Sequence, residues 1–105
     1  MNYCVVSGKI LGDIEYSIAG EMTCTKFNIR NLYYAPNKSA QEKTIIRCVC
    51  YGAVADYVYN ELFEGADIIV TGRILNRHYV SNGSTFNRLY IGCNTVSRLE
   101  QEEYT

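Results

Sequence analysis

The octapeptide GRILNRHY, residues 72–79, sets Arg73, Leu75, Arg77 and Tyr79 at alternate positions, with Ile74, Asn76 and His78 between them. Alternate residues of an extended strand share a face, so this spacing lays two guanidinium groups beside a phenol on one surface. Ile45, Arg47, Val49 and Tyr51 repeat the arrangement, with Ile46, Cys48 and Cys50 on the reverse face. Lys26 and Arg30 fall on the polar side of a third alternating stretch, which runs into Tyr33 and Tyr34. Cations neutralise phosphates and release condensed counterions. Flat rings stack on unpaired bases, at about 1–3 kcal/mol per base, with little regard to sequence. A duplex hides those base faces, so the combination fits a single-stranded nucleic acid. Each strand alone also fits a protected sheet edge or simple cross-strand packing. Agreement among three strands favours binding.

Other chemistry is thin. A thiol enzyme or hydrolase would have to pair Cys48 or Cys50 with His78, the sole histidine. Inward-facing thiols and a histidine on the face opposite Tyr79 do not make a nucleophile and base, so no enzymatic activity is expected and His78 reads as structural. The five cysteines, Cys4, Cys24, Cys48, Cys50 and Cys93, lie within strand-like segments, and the opening MNYCVVSGKI does not resemble a signal peptide. Reduced, mostly buried thiols in a cytoplasmic protein follow. Cys48-x-Cys50 lacks the second ligand pair of a structural zinc site, so neither metal nor cofactor is expected. No apolar run approaches the roughly 20 residues of a membrane helix, and no membrane partner is expected.

A chain of 105 residues, 48% apolar and 20% charged, makes one folded domain. Ten tyrosines and a single proline favour sheet. Strands are predicted over residues 3–11, 23–32, 44–51, 67–79 and 85–99, with a polar loop over 35–43 and a hairpin turn at Asn82-Gly83. In the last strand Leu89, Ile91 and Cys93 share one face, and Arg88 and Tyr90 the other. Helical spacing occurs after Gly52, where Val54, Val58 and Leu62 recur until Gly65 stops the run. Three strands, a short helix and two strands is the order of an all-β, five-stranded Greek-key barrel, the OB-fold. Cys48 and Cys50 then face the core, as does Ile74, whose replacement by alanine would cost about 2–5 kcal/mol if fully buried. The barrel spans residues 1–99, and 100–105 form a short acidic end.

Net charge is −1, which argues against a polyanion partner. Glu100, Glu102 and Glu103 account for much of it. Up to Leu99 ten basic groups face eight acidic ones, and four of those, Asp56, Glu61, Glu64 and Asp67, cluster in one stretch.

Over residues 2–99 the chain resembles the bacterial single-stranded-DNA-binding proteins. VVSGKILGDIEY (5–16), FNI (27–29), RCVCYGAVAD (47–56), EGADIIVTGRILNRHY (64–79) and YIGCNTVSRL (90–99) carry the resemblance. It implies a homo-oligomer, tetramer or dimer, of OB-fold domains that protects single-stranded DNA in replication, recombination or repair. By position Tyr51 matches a stacking phenylalanine and Tyr79 a stacking tryptophan, while Ile45 stands where the family often has tryptophan. Tyr33 or Tyr34 lies near a further stacking tryptophan. The implied DNA-binding set is Lys26, Arg30, Tyr33, Tyr34, Arg47, Tyr51, Arg73, Arg77 and Tyr79. Residues 2–7 are the expected interface strand between copies. The ending EQEEYT lacks the acidic, proline-phenylalanine tip with which the family recruits repair and replication enzymes, so either the sequence stops short of that tip or recruitment does not run by that route. Loss of the tryptophans implies weaker DNA binding. The alternative is a divergent, primosome-type OB-fold paralogue acting mainly through protein contacts.

Overall fold

Six elements follow one another: β1 (Cys4–Ala19), β2 (Met22–Tyr34), β3 (Gln41–Tyr51), α1 (Ala53–Glu61), β4 (Asp67–Ser81) and β5 (Ser84–Arg98). The computed structural model describes residues 1–34 and 41–99, with the side chains of Tyr33, Tyr34 and Gln41 outside that description. Of the loop expected over 35–43, residues 35–40 lie outside the described residues, as does the acidic end 100–105, while 41–43 already belong to β3, paired with the end of β2. The strands close into a barrel in the order β1-β2-β3-β5-β4. Neighbours are antiparallel except β3 and β5, which meet in parallel at Cys48↔Ile91 and Val49↔Gly92. This is the expected OB-fold order, with the helix between the third and fourth strands.

β1 is longer than its sequence pattern implied. Gly12, just past the predicted end of the strand at residue 11, has φ 78 and belongs to an irregularity where the register with β2 shifts between Leu11 and Glu15. The strand bends there instead of ending. Its first part, Cys4 to Lys9, pairs with β4, and from Lys9 onward it pairs with β2. One bent strand thus serves two neighbours, which is how a small sheet closes on itself.

Ile10, Phe27, Ile29, Cys48, Cys50, Ile68, Val70 and Ile91 fill the interior. α1 packs against the core through Ala55 and Val58, which are fully buried. Gly52, at φ 66, turns the chain out of β3 so that its carbonyl accepts the Asp56 N–H at 3.0 Å. The buried Thr25 hydroxyl donates to the Ala55 carbonyl at 2.9 Å, tying the helix to β2. All five cysteines are free thiols. Hydrogen bonding to Cys93, with burial, pushes the Cys48 and Cys50 thiols up from their ordinary values, so both stay protonated as core residues.

β4 and β5 form a hairpin paired continuously to Ser81↔Ser84 beyond an irregularity at Thr71 and Gly72. It extends past the barrel, and this corrects one expectation. Ile74 shares the inward side with Ile91 but is 48% exposed, and Leu89 is 66% exposed. Their face has run beyond the elements that would cover it. The expected interface strand is also partly used within the chain. The Asn2 side-chain amide donates to the Ile74 carbonyl at 2.7 Å, and its oxygen accepts the Ile74 N–H at 2.9 Å. Among the described residues, no helix is long and apolar enough to cross a membrane.

Candidate nucleic-acid interface

Register decides which predicted residues meet. Lys26 pairs with Val49 and Asn28 with Arg47 across β2 and β3. Val49 pairs with Gly92 across the parallel seam. Leu75 pairs with Tyr90, Arg77 with Arg88 and Tyr79 with Phe86 along the hairpin. Because the faces alternate, these pairings gather outer residues of four strands at an open cleft of about 700 Å³, which Asn76 and His78 join from the other face of β4. Lys26, Arg47, Arg77 and Arg88 supply its cations, and Tyr51 and Tyr90 its rings, with Val49, Asn76 and His78 completing the wall.

The electrostatics of the cleft are mixed. Burial, then the neighbouring Cys24 and Tyr90, hold the Tyr51 phenol above the ordinary tyrosine value, against the opposing pull of Arg77. Tyr51 is therefore a neutral ring, and it is half exposed, as a stacking platform must be. Arg47 is not a free cation. Its Nη2 lies 2.7 Å from Glu15 Oε2, and its Nη1 lies 3.5 Å from Asn28 Oδ1.

Of the residues singled out in the sequence, Lys26, Arg47, Tyr51 and Arg77 come together in this cleft. Arg73 pairs with Gly92 on the same outer face but does not line it. Arg30 lies further along β2, opposite Lys9 and Ile45, with its Nε buried and unpartnered. Tyr79 sits near the hairpin tip, stacked on Phe86 with ring centroids 5.4 Å apart and planes 21° apart. Tyr33 and Tyr34 pair in backbone register with Glu42 and Gln41, and their side chains lie outside the described residues. His78, expected to be structural, is exposed and lines the cleft, its Nε2 3.4 Å from Asn76 Nδ2.

Arg88 and Tyr90, which line the cleft, and Phe86, stacked on Tyr79, were not among the residues singled out in the sequence. Alternation already put Arg88 and Tyr90 on one face. What a single sequence lacked was the register that sets them against Arg77 and Leu75. A second hollow of about 800 Å³ lies between α1 and the end of β5, lined among others by Tyr57, Glu61, Asn94 and Arg98. Its one arginine is engaged elsewhere, with the Arg98 guanidinium 5.0 Å from the centre of the Phe63 ring. It has no comparable set of cations and rings.

Comparison with known proteins agrees with this fold. The Single-strand binding protein family matches the chain over residues 1–99. Among solved structures, the chain is similar to the SSB of Plasmodium falciparum in its complex with ssDNA, with a TM-score of 0.84. That likeness covers 95% of this chain and 96% of that one at 17% identity, so it speaks to the fold. No curated protein matches the chain.

Proposed function

The chain belongs to the single-strand binding protein family, and from that membership we propose that it binds single-stranded DNA without marked sequence preference and without catalysis. The cleft between β2, β3, β4 and β5 is the observation that carries this reading. Lys26, Arg77 and Arg88 line it as phosphate contacts, and Tyr51 and Tyr90 offer rings on which successive bases stack. The Tyr79–Phe86 stack extends the aromatic surface along the hairpin. A strand held this way is shielded from pairing and from nucleases, which suits replication, recombination and repair.

The test is a titration with oligo-dT and with a duplex of equal length, each at two salt concentrations. Oligo-dT should bind more tightly, and its affinity should fall with salt by about 0.7 log units per log unit of salt for each cation engaged. Equal affinity for the duplex would overturn the stacking argument. No affinity for oligo-dT would leave the alternative, an OB-fold module that works through protein contacts.

We also propose that the protein acts as a homo-oligomer built on β1 and the overhanging hairpin. The Cys4–Lys9 part of β1 pairs with β4, while its pairing with β2 begins only at Lys9. On the other edge the Asn31 side-chain amide donates to the Ser7 carbonyl at 2.8 Å, and the residues before it, beside the exposed Tyr3 and Val5, have no strand on that edge among the described residues. An unpaired edge of this kind is a template for a second strand.

A further inference from the structure

The irregularity in β1 has a consequence on the binding face. After the register shift, Glu15 falls opposite Lys26, which places a carboxylate beside two of the cleft's cations, Lys26 and Arg47. Its Oε2 lies 2.7 Å from Arg47 Nη2, with the Glu15 side chain 64% exposed and the Arg47 side chain 28% exposed. The carboxylate therefore sits on the solvent side of a half-buried guanidinium. A phosphate is recognised by the same charge-assisted N–H groups that a carboxylate takes. Asn28 Oδ1 lies 3.5 Å from the other arm of Arg47, a second, weaker contact that does not depend on Glu15.

Resting on the reading that this cleft binds single-stranded DNA, we propose that Glu15 is an internal competitor for the DNA phosphate at Arg47. In the free protein its carboxylate occupies the guanidinium, and it swings into solvent when a phosphate takes its place. An ion pair this exposed is weak, so the exchange lowers affinity without abolishing it. The exchange also changes the salt response. The phosphate releases a counterion on meeting Arg47, but the freed carboxylate attracts a cation back, so this contact adds little to the slope. Glu15 thereby sets the affinity below what the cleft's cations would otherwise give.

The test compares the parent protein, Glu15→Gln, Arg47→Gln and the double variant on oligo-dT over a salt series, with thermal melts confirming equal folding. Glu15→Gln should bind roughly two- to fivefold tighter at low salt, with a log–log slope steeper by up to about 0.7. The gain should vanish in the Arg47→Gln background. Glu15→Gln binding as the parent does, or more weakly, overturns the proposal, because Glu15 then orients Arg47 or does nothing. A gain that survives in the Arg47→Gln background overturns it too, since Glu15 then acts as general surface charge. If neither parent nor Glu15→Gln binds oligo-dT, the binding reading itself fails, and the inference with it.

Discussion

Tyr51 and Arg77 line the same cleft; if it binds DNA as proposed, they act through different physics and their variants should fail differently. Arg77→Ala removes a phosphate contact, so binding to oligo-dT should weaken and its salt slope should flatten by about 0.7. Tyr51→Ala removes a stacking platform, so it should cost about 1–3 kcal/mol with the slope nearly unchanged. Both side chains are exposed on the outer face, so neither change should move the melting temperature appreciably. Parental affinity in both variants would place the bound strand elsewhere. Alternation made these two residues legible, because a period of two names a face without any tertiary knowledge. It could not reveal that Arg47 is already held by Glu15, since that contact depends on where β1 resumes its register. Nor could it show that Arg30 is kept out of the cleft.

At the scale of elements, strand order and the position of the helix were readable because the apolar period changes from two to nearly four after Gly52 and changes back after Gly65. The extent of β1 was not. Glycine with positive φ serves both a turn and a bulge, and only pairing on either side distinguishes them. Gly72 shows a similar limit, since its constraint comes from a strand that is distant in sequence. A Cβ at Gly72 would collide with the backbone carbonyl of Gly92, at the point where β4 and β5 shift register. Gly72→Ala should therefore cost about 1–3 kcal/mol through overpacking against rigid backbone, read as a lower denaturant midpoint. Gly92→Ala is the control. There the nearest atom is Leu75 Cδ1 at 2.8 Å, the movable end of a side chain, so the loss should be smaller. Equal losses would mean that the sheet yields as readily as a leucine rotamer.

At the scale of the whole molecule, the overhanging hairpin exposes apolar side chains outside the barrel. Ile74 and Leu89 stand on the overhang and, with Cys4, Val6, Ile46, Tyr90 and Ile91, line a wholly apolar hollow of about 140 Å³. Ile74→Ala should accordingly cost well under the roughly 2–5 kcal/mol of a buried isoleucine. Phe27→Ala, at a position with no exposure, should cost about 3–5 kcal/mol, a large part of the roughly 5–15 kcal/mol that holds a domain together. The contrast separates folding from assembly. If a second copy covers the overhang, Leu89→Glu puts a charge into that contact while leaving the barrel interior untouched. Sedimentation equilibrium should then show the parent as an oligomer and Leu89→Glu at a smaller mass, with melting of the dilute proteins nearly equal. Burying an unpaired carboxylate in an apolar interface is costly enough to drive that shift. An unchanged mass would show that the overhang is not where copies meet. A collapsed melting transition would show that the hairpin is held by the barrel more tightly than its exposure implies.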